Sequence, residues 1–218
     1  MKKINWGDHL TNLLVVILGI TIAFYLEGWK DENKQSKLEQ QYLTSLLTDL
    51  DNDKFYLDTL LTINENITKS LHILTGATIG KTYNKDSLAS LVYSIGFIPS
   101  FQPQVVTYES AKSTGSLGTI EKLEVRKAII ELYEQWYRAA REMDQSMTDH
   151  TQNFTQPYFM KNLRFDTNGQ LNADFLTDNE LRNILYAQKN INQLRSDFYK
   201  TLKDELDNVI QIVSEEVE

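Results

Sequence analysis

"DHLTNLLVVILGITIAFYLEGW" (Asp8–Trp29) decides what kind of fold this chain can have. Three readings compete: a buried helix inside a soluble core, a cleaved leader, or a permanent membrane span. Leu10 to Leu26 carries no charge and shows no polar face at helical spacing, which argues against a soluble core helix. Trp6 to Trp29 is 24 residues, about 36 Å of helix, enough to cross a hydrocarbon core of roughly 30 Å with some tilt. Trp6 stands at one end and Tyr25 and Trp29 at the other, where amphipathic rings favour the headgroup layers. A cleaved leader needs small residues soon after its apolar run, and "FYLEGWKDE" offers bulky and charged ones. Residues 1–30 are therefore expected to form an uncleaved transmembrane anchor helix, with the lipid bilayer as its partner.

One side of this helix differs from the rest. Asp8, Asn12, Gly19, Ala23 and Glu27 recur at steps of four, seven, four and four. Lipid already solvates Leu and Ile, so helices associate in a membrane through close backbone approach and interhelical hydrogen bonds, which small and polar residues allow. Asn12, Gly19, Ala23 and Glu27 are thus the expected contact face for a second copy or another membrane protein. Lys2, Lys3 and the terminal amine nearly balance Lys30, Lys34 and Lys37 across the span; the expected orientation puts the amino terminus in the cytoplasm and the body outside it.

Residues 31–218 read as a separate helical body. "KDENKQSKLEQQ" extends the first helix as a solvated stretch, and from Leu43 the positions Leu43, Leu46, Leu50, Asp53, Leu57, Leu60, Asn64, Ile67, Leu71 and Leu74 alternate steps of three and four. Leu47, Leu61 and Ile63 widen that seam, which favours a multi-helix bundle over a two-stranded coiled coil. "TGATIGKTYNKD" breaks the helix. A short helix opening at Asp86 would bury Leu88, Leu91, Val92 and Ile95; another would close at Gly115. A long helix from Thr119 would bury Ile120, Leu123, Ile129, Leu132, Tyr133, Tyr137 and Ala140. "RFDTNGQLN" suits a small hairpin, and a last helix capped by Thr177 and Glu180 would bury Leu181, Ile184, Ile191, Leu194, Phe198, Leu202, Leu206, Val209 and Ile212. The expected fold is all-α: an N-terminal transmembrane helix followed by an antiparallel helical bundle.

Composition excludes much. Among 218 residues there is no cysteine, which removes thiolate catalysis and sulfur-ligated metal sites. Lys and Arg number 22 against 30 Asp and Glu, and beyond residue 30 the count is 19 against 28, a charge that repels phosphate backbones; nucleic acid is not an expected partner. Gly76 to Thr82 resembles a phosphate-binding loop but has three residues between its glycines instead of four, and Asp166 to Gly169 lacks the spacing of a calcium loop. His9, His72 and His150 are preceded at three residues by Trp6, Lys69 and Met147, so the Glu-x-x-His di-iron pattern is missing. No enzyme activity, metal or cofactor is expected. The one stretch of unusual composition is Tyr108 to Gly118, where Tyr108, Glu109, Ser113, Thr114 and Gly115 form a candidate interaction loop.

The span ending in "FYLEGW", the helix "YLTSLLTDLDND" and the central "TYESAKSTGSLGTI" followed by "IIELY" together resemble a family of small uncharacterised bacterial membrane proteins, a domain-of-unknown-function group. The resemblance implies a bacterial inner-membrane, single-pass protein with a helical body, and carries no activity or catalytic residue with it. The functional expectation is a membrane-anchored interaction, assembly or accessory module, self-associating or part of a membrane complex. The alternative is a tethered small-ligand sensor bundle that signals through a partner.

Overall fold

A computed structural model describes residues 6–217, and the side chains of residues 14–217. Its first helix, α1 (Trp6–Ala77), is 72 residues long, about 108 Å at the helical rise. It has no proline, and good helix formers fill "KDENKQSKLEQQ", so nothing stops the helix between the apolar run and the body. The expected boundary at residue 30 is thus a change of surroundings within one helix. Leu14 to Trp29 are exposed on every side; burial begins at Leu43, and all ten seam positions from Leu43 to Leu74 are buried.

Among the described residues no helix is long and apolar enough to cross a membrane. The described apolar run, Leu14–Leu26, amounts to about 20 Å of helix, short of a roughly 30 Å hydrocarbon core. The side chains of residues 8–13, which would complete the expected span, lie outside the described residues. The expectation of a transmembrane helix is therefore not met within them.

Gly80, in a left-handed conformation at φ 81°, turns the chain after α1. Helix α2 (Leu88–Gly96) buries Leu88, Leu91, Val92 and Ile95 as expected, but Asn84 rather than Asp86 caps the turn ahead of it, accepting from the Asp86 amide at 3.0 Å. A loop containing Pro99 and Pro103 leads to α3 (Val106–Thr114), which Gly115 closes at φ 76°. The next helix starts at Leu123, after a 3₁₀ turn over Ser116–Thr119, and not at Thr119. It runs as α4 (Leu123–Glu131), a π-helical turn (Leu132–Trp136), α5 (Tyr137–His150), a second π turn (Thr151–Thr155) and α6 (Gln156–Asn162). The second π turn ends two residues before Pro157, whose ring would crowd the carbonyl four residues back and which has no N–H to donate to it; widening the turn relieves both problems. The expected hairpin reduces to one antiparallel bridge, Phe165 to Leu171.

The last helix, α7 (Asn179–Val217), runs antiparallel to α1: Thr78 meets Arg182, Asp58 meets Lys203, Lys54 meets Asp207 and Gln40 meets Val217. Asp178, not Thr177, caps it, accepting from the Glu180 amide at 2.8 Å. Two apolar cores result. One joins Leu43–Leu60 to α3, α4, α5 and Tyr199–Val213; the other joins Ile67–Leu74 to α2, α6 and the start of α7. The all-helical antiparallel bundle of the body is as expected; the polar layer between its two cores is not.

Candidate functional site

Of the expected contact face, Gly19, Ala23 and Glu27 lie exposed along one side of α1, and a methyl placed on Gly19 would meet nothing within 4 Å. Asn12 lies outside the residues whose side chains are described. The candidate interaction loop is more divided. Tyr108 is buried, stacked on Tyr133 with ring centroids 4.3 Å apart, and donates its hydroxyl to Glu134 Oε1 at 2.8 Å. Lys112 pairs with the same carboxylate and, with Tyr108, holds Glu134 below its ordinary pKa; burial pushes the Tyr108 phenol up. Glu109, Ser113, Thr114 and Gly115 are exposed, and the Ser113 and Thr114 hydroxyls both donate to the Ser110 carbonyl. α3 faces α1 across an open groove between Leu38, Tyr42 and Ser45 on one side and Thr107, Ser110 and Thr114 on the other. The two expected sets lie on different helices, α1 and α3, and are not brought together.

The chemistry that sequence patterns missed is inside. Asp144 accepts from the Phe101 amide at 2.7 Å, from Arg195 Nε at 2.7 Å and from the Tyr199 hydroxyl. Arg195 also donates to the Pro99 carbonyl. Asp53 accepts from the Gln104 amide and the Tyr137 hydroxyl, both at 2.7 Å. Two buried carboxylates from different helices therefore grip the backbone of the loop between α2 and α3, and Phe101 sits edge-on to Tyr137 and Tyr199. Further along the axis, Gln188 donates to the Ile95 carbonyl and accepts from Thr155, and Asn192 donates to Thr68 at 2.8 Å. Burial raises Asp53 to about 6, against the opposing pull of the Gln104 amide and the Tyr137 hydroxyl, and Asp49 adds to the rise.

The side chains of Asp53, Asp144, Gln188, Asn192 and Arg195 are 0–5% exposed. Most of their bonds end on backbone or on neighbouring side chains, the arrangement of a structural network, while Arg195 Nη1, Asn192 Oδ1 and Asn64 Oδ1 are buried without a partner among the described residues. Among the described residues no group of three or more His, Cys, Asp or Glu is placed to hold a metal ion. The one sequence signal for the layer was the pair of polar residues, Asp53 and Asn64, in an otherwise Leu and Ile seam.

No curated protein and no solved structure matches the chain. A family model does match, over residues 12–185, which takes in the described apolar run, all of α2 to α6 and the first turns of α7, but not Asn192, Arg195 or Tyr199. On that match the chain belongs to a family of unknown function, DUF6090.

Proposed function

We propose that this chain is a membrane-tethered assembly module: the apolar start of α1 lies in a lipid bilayer, the bacterial inner membrane, with the helical body on its outer side, and copies associate through the Asn12, Gly19, Ala23 and Glu27 stripe or dock on a membrane protein partner. The observation that carries the reading is Leu14–Leu26, a continuous apolar run on a single projecting helix, with large side chains 50–77% exposed and no element of the body against them. Exposed apolar surface of that extent marks a contact with lipid or protein. The ligand-sensor alternative needs open space between the helices of the body. Asp144, Gln188, Asn192 and Arg195 occupy that axis and bond to one another or to backbone, which favours assembly over sensing.

The test is extraction and mass. Membranes carrying the full chain are expected to retain it through an alkaline carbonate wash, and the protein purified in mild detergent is expected to run as a multimer or with a membrane partner. A chain released by carbonate, or a lone monomer whose melting temperature rises with a small metabolite, would favour the other readings.

A further inference from the structure

Directly beyond the apolar run, α1 carries Lys30, Lys34 and Lys37, whose spacings of four and three bring them to one side of the helix. All three are exposed, and none has a carboxylate within ion-pair distance among the described residues. Trp29, Asn33 and Leu38 border the same strip; Glu32 and Glu39 lie on the opposite side of the helix, while Glu27 and Asp31, three residues before Lys30 and Lys34, flank it. A one-sided basic strip on a chain of net charge −8 does nothing for the solubility of an already acidic body. Its charge is complementary to phosphate, and its place on the helix is where phosphate would be. At 1.5 Å per residue Lys30 stands about 6 Å beyond Leu26 and Lys34 about 12 Å. The headgroup layer occupies about 5–8 Å on each side of the hydrocarbon core. Lysine stems reach back along apolar surface by several ångströms, and an average helix tilt of about 20° toward the strip lowers Lys37 as well.

We propose that Lys30, Lys34 and Lys37 bind the phosphate groups of anionic phospholipids, setting the direction in which α1 tilts and holding the acidic body clear of the membrane surface. The proposal rests on the anchor reading above. It is compatible with self-association: helices crossing at Gly19 and Ala23 with the roughly 40° angle of small-residue contacts diverge toward Lys30, which parts the two like-charged strips.

The full chain, reconstituted into phosphatidylcholine vesicles with a trace of spin-labelled phosphatidylglycerol or phosphatidylcholine, tests it by the fraction of each label immobilised at the protein. The wild type is expected to prefer phosphatidylglycerol by about three- to ten-fold at low salt, falling toward parity in molar salt. The triple variant Lys30→Gln, Lys34→Gln, Lys37→Gln is expected to lose the preference, and Lys161→Gln with Lys189→Gln to keep it. A wild type embedded through a carbonate wash yet indifferent to the two lipids overturns the lipid strip alone. So does a preference that survives the triple change, or a triple variant that alters oligomer mass and not lipid selection. Release by carbonate from these vesicles overturns the anchor and the strip together.

Discussion

Asp53 occupies a seam in which eight of ten positions are Leu or Ile, and it is buried as deeply as they are. Its carboxylate is held by an amide and a phenol and faces no cation; burial dominates, and its folded pKa of about 6 lies above the ordinary value of 3.8. Between those values the native protein keeps a proton that the unfolded chain has released, so unfolding free energy falls as pH rises across that window. The change amounts to about 2–3 kcal/mol at full burial. Asp53→Asn cannot ionise, and its carboxamide oxygen can still accept from Gln104. Thermal unfolding in mild detergent should show the stability of the variant relative to wild type improving by about that amount between pH 4 and pH 7. A pH-independent difference would mean that Asp53 is not the buried ionising group. Asp144, unlike Asp53, is ion-paired, with Arg195 Nε at 2.7 Å.

At the scale of a helix, α7 shows how a correct period still yields a wrong face. The 3–4 spacing placed Ile191, Leu194 and Phe198 with Leu202 and Leu206 on one buried stripe. The structure buries Gln188, Asn192, Arg195, Ser196 and Tyr199 instead, leaves Ile191 and Phe198 half-buried, and exposes Leu194 at 63%. Apolar periodicity cannot see such a segment, since its buried side is polar by hydrogen bonding and its apolar residues point outward. Leu202→Ala is expected to cost about 2–5 kcal/mol, whereas Leu194→Ala should change stability by less than about 0.5 kcal/mol. Equal costs in a thermal melt would restore the stripe read from the sequence. The helix of residues 123–162 was foreseen as one element, but its two π turns were not; Pro157 was the only local sign of the second.

Over the whole molecule, one helix joins an exposed apolar segment to both cores, so that segment and the seam from Leu43 to Leu74 share one continuous backbone. The polar layer sets the height at which α1 meets α7. Sliding the two helices by a turn would part Asn192 from Thr68 and from the Asn64 carbonyl, and a buried amide left unpaired costs about 1–3 kcal/mol. If Gly19, Ala23 and Glu27 form a contact between copies, then in a chain without cysteine single substitutions report it cleanly. Gly19→Cys and Ala23→Cys are expected to cross-link in oxidised membranes and Leu18→Cys and Tyr25→Cys, on the other side of the helix, much less. Uniform cross-linking at all four positions would rule out a defined face.

Helix content, the seam of α1, the break after it and the run of exposed apolar residues could all be read from residue order, because each follows from spacing along a single helix and from the scarcity of glycine and proline. The closing of α3 by Gly115 belongs with them, since only glycine adopts that conformation without strain. Three-dimensional packing alone decided that Tyr108 is a core residue stacked on Tyr133, that two aspartates hold the loop through Pro99 and Pro103, and that Arg195 is buried. Those outcomes depend on partners 25 to 96 residues away in the chain. A buried charge or amide is tolerable only where such partners arrive, and no local pattern announces their arrival.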